Sequence, residues 1–530
     1  MKRIAAVALA ALAAPGVARA AEATLVSREL AVAEARAVTA AASARFDLVG
    51  LHWQGGGSVA FRTRSSVTRR WTVWRTAAPE AEDLPDGGTR EAARRRAWRL
   101  GNPYWTGPSD RLQVRRRGPV RRLRALFVRS AEERVPLRAV ALADSPAIVP
   151  RLSWSANERI TRTPSYAEEL RFALVHHTAG SNRYTRAQSA AIVRAIQLYH
   201  VRGNGWNDVG YNFLVDKYGQ VFEGRGGGID KNVVGAHAEG FNTGSVGVAL
   251  LGNYTGTGVS MAAQSAIARL LAWRLDLAHV DPLSSLSWLS GGNARFSRGA
   301  PVFLRAISGH RDTGFTSCPG TVLYARIPRI ARAAAAAGSP KLYTPLARGV
   351  LGRSVRFTAR LTDPLPWTVA VYDPQGAPLA LGSGLGPAID WTWDARGAGT
   401  GRYSYLFSAG PTVRSAFGTF GGRAPPLRVT ELLATPPVIS PNGDGVDDST
   451  TISYALSATA TVTVTLLDGA NTTLATLFDE WRPAGRHSFS LAADSIADGA
   501  YTLAVSAATP RGRPVTARTQ LVVDREIPLR

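Results

Sequence analysis

A single cysteine, Cys318, limits how this chain of 530 residues can be held together. One cysteine cannot close an intramolecular disulfide, so the folded domains have to rest on core packing, with or without a metal ion. Cys318 lies within residues 309–320, which follow a short apolar strand pattern and also contain His310, eight positions before the cysteine. A thiol and an imidazole are both residue types that bind metals.

A second source of imidazole lies upstream, where His176 and His177 end a run of strand-forming residues over 172–177. Zinc takes nitrogen and sulfur ligands in a tetrahedron, and three protein ligands leave the fourth position for water. Two imidazoles and one thiolate therefore predict a hydrolytic zinc site. The competing interpretation is that isolated His and Cys residues serve packing. A structural zinc site would need a fourth protein ligand, and the chain has no second cysteine to supply it.

Length and charge set broader limits. The length predicts about three or four domains. The formal net charge is +24 and comes almost wholly from arginine. Such a charge favours anionic partners, among them acidic cell-wall polymers, although genome composition accounts for it equally well. No nucleic-acid recognition motif accompanies the charge, so we predict no specific nucleic-acid partner.

Residues 1–20 have the pattern of a secretory signal peptide. Lys2 and Arg3 precede an apolar run over residues 4–14, and Ala18-Arg19-Ala20 offers small residues for cleavage after Ala20. The run is shorter than the roughly 18 apolar residues that a membrane span requires. We therefore expect a secreted protein whose mature form has no transmembrane segment.

Residues 21–145 have the sequence pattern of β-strands from Phe46 onward. Apolar residues alternate over 59–63, and strand-forming runs follow at 71–74 and 123–128, separated by Gly and Pro. This pattern predicts an N-terminal β-sandwich. The arginine-dense segments of the same region are interpreted as solvated strand edges.

The central region, residues 146–338, alternates strand and helix signals. The run over 172–177 predicts a strand, and Thr185 with Gln188 forms a capping-box pattern before a helix. Residues 210–223 predict a hairpin, and Ser260 is placed to cap a helix that extends to about His279. A last helical stretch over residues 322–337 contains Pro328, where a kink is expected. These signals predict an α+β domain with a mixed β-sheet and flanking helices.

Several motifs in this region resemble, in order and spacing, the peptidoglycan recognition protein and type 2 amidase family. They are Ile148-Val149-Pro150-Arg151-Leu152-Ser153-Trp154, Val175-His176-His177-Thr178-Ala179-Gly180, Gly205-Trp206-Asn207-Asp208-Val209-Gly210-Tyr211-Asn212-Phe213, Gly235-Ala236-His237 and residues 309–320. The resemblance covers roughly Ile148 to Ala337. It implies a zinc-dependent N-acetylmuramoyl-L-alanine amidase, which cleaves the amide between N-acetylmuramic acid and the L-alanine of the peptidoglycan stem peptide. It also implies association with the cell wall.

The resemblance places the zinc ligands at His176, His310 and Cys318. Of the adjacent histidines only the first matches a ligand position, and alternation along a strand also favours a single ligand from the pair. Tyr211 matches the catalytic tyrosine of the family, and Thr316 stands where some members carry lysine and the recognition proteins carry threonine.

Three further residues are predicted to line the substrate groove, and for each a purely structural role is an equal alternative. These residues are Trp206, His237 and Asn242. The resemblance leaves one alternative function open, because the family includes non-catalytic receptors that bind peptidoglycan fragments. Such members typically lack a zinc ligand, notably the cysteine, whereas this chain retains all three. We therefore expect an enzyme.

Two related β patterns follow the central region and predict two Ig-like β-sandwich domains, residues 339–425 and 426–530. The second begins with a segment rich in oxygen ligands that include Asn442, Asp444 and Asp447. This segment is consistent with a Ca²⁺ site or with an ordinary Asn/Asp/Gly turn, since it lacks the glutamate that closes an EF-hand loop.

Overall fold

The structure is a computed structural model that describes residues 23–31, 38–78, 83–94, 98–132, 137–141, 145–422, 426–443, 446–469, 471–492, 496–509 and 514–525. The predicted signal peptide, residues 1–20, lies outside the described residues. Two compact units divide the chain, one over Arg19–Gly338 and one built on Ser339–Arg530. None of the helices in the described ranges combines the length and the apolar character needed to cross a bilayer.

The first unit begins with a seven-stranded antiparallel sheet. Its strands lie in the order β1-β7-β2-β6-β3-β4, with β5 paired to β2. A short helix, α1, lies in the connection between β4 and β5. The elements are β1 (Ala23–Leu30), β2 (Val38–Gln54), β3 (Ser58–Ser65), β4 (Arg75–Thr76), α1 (Arg90–Ala93), β5 (Arg99–Leu100), β6 (Tyr104–Arg117) and β7 (Arg122–Ser130).

The central domain follows as a six-stranded mixed sheet with helices. The strand order is β15-β9-β12-β10-β11-β8, parallel throughout except for the β10–β11 hairpin. A separate hairpin is formed by β13 and β14. The elements are β8 (Ile148–Val149), β9 (Phe172–His177), α2 (Ser189–Leu198), β10 (Phe213–Val215), β11 (Val221–Glu223), β12 (Ser245–Leu250), α3 (Met261–Asp276), β13 (Ser285–Leu289), β14 (Pro301–Arg305), β15 (Ile307–Gly309), α4 (Thr321–Tyr324) and α5 (Ile327–Ala335).

Local sequence signals account for most of these elements. All six residues of β9 are buried, as expected for an apolar strand between two parallel neighbours in a covered sheet. Helix α3 begins after Ser260, whose hydroxyl accepts a hydrogen bond from the Ala263 N–H at 3.1 Å. The helical stretch expected over residues 322–337 is two helices, because Pro328 lies in the first turn of α5.

The N-terminal strands form one sheet, so the prediction of a two-sheet sandwich was wrong. Its two faces bury different cores, because successive side chains of a strand point to opposite sides. Val49 of β2 belongs to a core formed within the N-terminal sheet, whereas Leu48 packs into a core shared with helix α2. Trp105 and Leu126 join Leu48 in that shared core. The central domain therefore supplies the second layer that the sandwich prediction assigned to another sheet.

The second unit contains the two predicted β modules. The first module has a single five-stranded sheet in which the long strand β17 pairs with β16 near one end and with β19 near the other. The pairing along β17 is interrupted between Arg360 and Leu365, and the sandwich arrangement of this module stays a prediction. Its strands are β16 (Leu342–Val350), β17 (Ser354–Tyr372), β18 (Pro378–Asp394), β19 (Arg402–Ala409) and β20 (Ala416–Gly421).

The second module has two sheets, β21-β23-β26 and β22-β28-β27-β24-β25, around one apolar core. This is a sandwich arrangement, while the Ig-like assignment stays a prediction. The strands are β21 (Val429–Thr435), β22 (Val438–Ile439), β23 (Ser449–Leu456), β24 (Ala460–Leu467), β25 (Thr473–Arg482), β26 (Gly485–Ala492), β27 (Gly499–Ala508) and β28 (Val515–Val523).

Candidate metal centre

Four buried side chains meet at one edge of the central sheet. Asp83, His176, His310 and Cys318 each offer one ligand atom, and these atoms lie within 4.8 Å of one another. His176 Nδ1 is 3.6 Å from the Cys318 Sγ and 3.4 Å from the Asp83 Oδ1, which in turn is 3.0 Å from His310 Nδ1. Over the ranges that the structure describes, no other group of three or more His, Cys, Asp or Glu residues has this arrangement.

Strand pairing brings the two histidines together. Strands β9 and β15 are parallel neighbours, with Val175 opposite Gly309, so His176 and His310 lie side by side where the two strands end. Their ring centroids are 4.6 Å apart. His177 faces the other way, and its Nδ1 accepts a hydrogen bond from the Tyr254 N–H at 3.1 Å. Only one residue of the histidine pair therefore reaches the cluster.

The loop after β15 carries the cysteine into the cluster. The Cys318 N–H donates to the Thr316 hydroxyl at 3.1 Å, and the Cys318 carbonyl accepts from the Arg311 N–H at 2.9 Å. Thr316 is half-buried and shapes this loop through that hydrogen bond. Its described contact is thus with the backbone of a cluster residue.

The chemistry of the four atoms fits a metal ion. Imidazole nitrogen, thiolate sulfur and carboxylate oxygen are all zinc ligands. Asp83 Oδ1 and His310 Nδ1 are buried and 3.0 Å apart, a distance at which they form an ion pair only if the imidazole is protonated at Nδ1. With that nitrogen unprotonated neither atom has a hydrogen-bond partner, and buried polar atoms left unpaired in this way are expected where both bind a common ion.

Asp83 was missed by the sequence analysis, which predicted three protein ligands and an open fourth position. The structure offers a fourth potential ligand atom, from Asp83 in the connection between β4 and β5 of the N-terminal region. Burial by itself raises the pKa of the Asp83 carboxyl, but the His176 and His310 imidazoles outweigh burial and hold the pKa well below its usual range. The ionised carboxylate is the form of an aspartate that binds a metal.

Tyr211 lies against the cluster. Its hydroxyl donates to Asp83 Oδ2 at 2.8 Å, and its ring centroid is 5.4 Å from that of His176. The side chain is 4% exposed. The structure thus brings the predicted catalytic tyrosine against Asp83 and the predicted ligand His176.

His237 is in contact with His176 and not with solvent. Its Nδ1 is 3.1 Å from His176 Nε2, and a Cβ at Gly235 or Gly247 would clash with its ring. Burial, followed by the nearby imidazoles His176 and His310, lowers the pKa of His237 well below its usual value, which keeps the ring neutral. A neutral imidazole protonated on Nε2 accepts a hydrogen bond at Nδ1, and in that tautomer His237 is suited to orient His176.

Trp206 and Asn242 are covered by the chain itself. Leu84 shares a small apolar cluster with Trp206, and the Asn242 amide donates to the Leu84 carbonyl at 2.9 Å. The same amide donates to the Asp86 Oδ1 at 2.7 Å. Together with His237, these two residues are buried in this structure. Leu84 and Asp86 belong to no recognised motif, and only Asp86 had a signal in the sequence, its acidic side chain in a strongly basic chain.

The calcium interpretation is not supported. Asp444 lies outside the described residues. The one group of potential metal ligands found among the described residues does not include Asp447. The nearby backbone closes a turn instead, in which the Ser440 N–H donates to the Asp447 carbonyl at 2.9 Å and the Asn442 N–H donates to the Ser440 carbonyl at 2.7 Å.

Comparison with known proteins places the similarity in the central domain. Residues 166–321 match the family model described as N-acetylmuramoyl-L-alanine amidase. Peptidoglycan-recognition protein SC2 of Drosophila simulans is 36% identical over 180 residues, which are 34% of this chain and 84% of that protein. The human N-acetylmuramoyl-L-alanine amidase is 36% identical over 191 residues, which are 35% of this chain and 28% of that protein.

A solved structure, wild-type Drosophila PGRP-LB, is 26% identical and covers 34% of this chain and 91% of that chain, with a TM-score of 0.28. The family resemblance drawn from the motifs is confirmed by the sequence matches. Since the similarity extends over 84% of the Drosophila SC2 protein, this chain belongs, through its central domain, to the peptidoglycan-recognition protein and amidase family.

Proposed function

We propose that this protein is a zinc-dependent N-acetylmuramoyl-L-alanine amidase that acts on peptidoglycan. The observation that carries the proposal is the convergence of His176, His310 and Cys318 on one point, with the Tyr211 hydroxyl beside it. Family membership supports the substrate class, because the matched family model describes that amidase activity.

The proposed roles follow from the positions of the side chains. His176, His310 and Cys318 would hold zinc, and a bound zinc would supply an activated water and polarisation of the scissile carbonyl. The Tyr211 hydroxyl, when it is not bound to Asp83, is placed to donate a hydrogen bond to the oxyanion that develops on the scissile carbonyl oxygen. Thr316 acts through the backbone of Cys318 by keeping the thiolate in place.

Trp206 and Asn242 are proposed to line the groove that receives the stem peptide. They lie along the segment over residues 84–86, so a peptide of similar shape would meet the same side chains. His237 is proposed to orient His176 instead of binding substrate directly, because its described contacts are with the cluster. This assigns the three groove candidates two different roles.

We place the protein outside the cytoplasm and at the cell wall, on the signal-peptide pattern of residues 1–20 and the proposed substrate. The net charge of +24 supports an additional attraction to anionic wall polymers. Such attraction is screened by salt, so binding to purified walls is expected to weaken as ionic strength rises.

One structural feature favours the second candidate function, a non-catalytic peptidoglycan receptor. Asp83 completes a set of four protein ligands, and zinc sites closed by four protein ligands are usually structural. The amidase remains the preferred function because Asp83 comes from outside the family domain, whereas the other three ligands and Tyr211 belong to it.

The decisive experiment incubates the zinc-loaded chain and its Asp83→Ala variant with purified peptidoglycan, with and without chelator, and identifies released material by mass spectrometry. Stem peptides with a free L-alanine amine, lost with chelator and in Cys318→Ala, establish the amidase. The exposed neighbour variant Ser317→Ala serves as the matched control and is expected to behave as the parent. Wall binding without release by both the parent and Asp83→Ala would leave the receptor function.

A further inference from the structure

We propose that residues 83–91, here called the covering segment, hold the central domain in a self-inhibited state. In that state Asp83 takes the fourth metal position and the residues after it occupy the groove for the stem peptide. Catalysis then requires the covering segment to withdraw. This inference rests on the proposed function, since it assigns an inhibitor to the same site.

The first step of the argument concerns the metal position. Asp83 is 7% exposed, and both of its carboxylate oxygens face groups of the site. Oδ1 lies 3.4 Å from His176 Nδ1 and 3.0 Å from His310 Nδ1, while Oδ2 accepts from the Tyr211 hydroxyl at 2.8 Å. A hydrolytic site needs that position for water and that hydroxyl for the reacting carbonyl. Asp83 therefore blocks both.

The second step concerns the groove. Leu84 is buried against Trp206 and Ala236, and its carbonyl accepts from the Asn242 side chain at 2.9 Å. Asp86 follows with a second set of contacts to the loop over residues 240–243. From the residue next to Asp83 onward, the chain thus runs along the side chains proposed to bind the substrate.

The Asp86 contacts show what kind of ligand the groove accepts. Its Oδ1 accepts from the Gly240 N–H at 2.8 Å, the Asn242 N–H at 3.3 Å and the Asn242 amide at 2.7 Å, and its Oδ2 accepts from the Thr243 hydroxyl at 3.1 Å. Hydrogen bonds to an ionised acceptor are among the stronger ones. Four neutral donors around one carboxylate form a recognition site for an acidic peptide. The acidic residues of a stem peptide carry the same carboxylate group.

The third step concerns attachment. The covering segment ends in α1, where Glu91 accepts from the Asn207 N–H at 2.8 Å and forms a buried ion pair with Arg225 at 2.6 Å. The N-terminal sheet is held separately, because its strands pack on α2 through the core that contains Leu48 and Trp105. Withdrawal of residues 83–91 therefore leaves that sheet docked, which is what a reversible inhibitor requires.

The test uses the full chain loaded with Co²⁺, whose visible spectrum reports coordination, and acetohydroxamate as a small probe for the open metal position. In the parent, the probe competes with Asp83 and is expected to bind weakly. In Asp83→Ala the apparent affinity for acetohydroxamate is expected to rise about tenfold or more. In the parent only the small fraction of molecules with Asp83 withdrawn can bind the probe, and the apparent affinity is reduced by that fraction. Asp86→Ala loosens the covering segment without touching the ligands and is expected to give a smaller rise in the same direction.

A matched control is Asp110→Asn, which removes an acidic charge from the N-terminal sheet, where Asp110 pairs with Arg64 and Arg69. It is expected to bind the probe as the parent does. Equal affinity of the parent and Asp83→Ala for acetohydroxamate overturns the inference. Loss of Co²⁺ from Asp83→Ala, together with parental affinity in Asp86→Ala, also overturns it and makes Asp83 a structural ligand.

Stem-peptide release is measured on the same proteins with zinc, so that the two proposals fail separately. Higher probe affinity with faster release in both variants supports inhibition of an amidase. Higher probe affinity with no release from any of the proteins upholds self-inhibition and rejects the amidase. If Asp83→Ala does not fold, as judged by circular dichroism, Asp86→Ala decides alone.

Discussion

His176 Nε2 lies 3.1 Å from Nδ1 of His237. The other nitrogen of the His176 ring faces the ligand cluster, so a ring that binds metal through Nδ1 carries its proton on Nε2 and donates it to His237. Hydrogen-bond partners of this kind orient metal ligands, and their loss costs about 10- to 100-fold in metal affinity. We predict a loss of that size for His237→Ala, measured on the full chain by competition with a chromophoric zinc chelator.

The conservative variant His237→Asn keeps an acceptor near His176 and is expected to recover part of the zinc affinity. An unchanged affinity in His237→Ala would show that the hydrogen bond does not position the ligand. Circular dichroism of both variants separates this effect from misfolding.

Tyr211→Phe tests the hydroxyl alone. Removing one donor to a developing oxyanion costs about a hundredfold or more in kcat, so we expect a loss of that order with zinc content unchanged. The readout is the initial rate of stem-peptide release together with zinc per chain. Tyr218→Phe, which removes a hydroxyl that donates to the Tyr184 carbonyl, is the control and is expected to keep the parental rate. A parental rate in Tyr211→Phe would exclude the assigned role.

Acidification is expected to destabilise the first unit through His52. Arg124 donates to His52 Nδ1 at 3.0 Å, so the ring is neutral and its Nε2 faces the Tyr199 hydroxyl at 2.9 Å. Burial and the Arg124 charge lower the pKa of His52 to about 3. The unfolded chain binds a proton below about pH 6.5, so the free energy of unfolding is lost progressively as pH falls from about 6.5 toward 3, by up to ~1.4 kcal/mol per pH unit.

Urea unfolding at pH 7 and pH 5 measures this dependence. His200, whose pKa burial also lowers to about 3, contributes in the same direction. The variant His52→Gln removes one of the two titrating groups and is expected to show a smaller loss between the two pH values. An identical loss in the parent and His52→Gln would contradict the assignment.

The buried ion pair between Glu91 and Arg225 predicts a large effect of a single substitution. Glu91 is 9% and Arg225 3% exposed at the side chain. Glu91→Ala leaves the arginine charge buried without its partner, a change that costs about 3 kcal/mol or more. The free energy of unfolding of the first unit, from urea titration, is the measurement. The double variant Glu91→Leu/Arg225→Met removes both charges and is expected to recover most of the loss. If the free energy of unfolding of Glu91→Ala lies within about 0.5 kcal/mol of the parent, the range of an ordinary surface change, the prediction is contradicted.

Local pattern sufficed to predict the core of the central domain. Strand β9 begins with four apolar residues, and Ser260 is a recognisable helix cap, so both are specified by residues close in sequence. The approach of His176 and His310 follows from parallel pairing at one sheet edge, and the family motifs pointed to it as well.

The parts that were missed depend on contacts between distant residues. Asp83 reaches His176 and His310 from another layer of the fold, and a single aspartate in an irregular connection has no periodicity to reveal its partner. The N-terminal region was predicted as a sandwich from the alternation over 59–63 and the strand-forming runs at 71–74 and 123–128. In the structure, Leu48 and Val49 bury the two faces of β2 in different cores. A sequence pattern can indicate that both faces of a strand are buried, but it does not indicate which element covers each face.

The shared core on α2 has a consequence for how this protein can be divided. Ile192 and Ile196 of α2 pack with Leu48, Trp105 and Leu126 in one buried cluster. A recombinant fragment that starts at residue 146 would turn this cluster into an exposed apolar patch, and patches of that kind promote aggregation. The domain boundary predicted at residue 146 is therefore not a place to cut: a piece that keeps this core covered begins before β1.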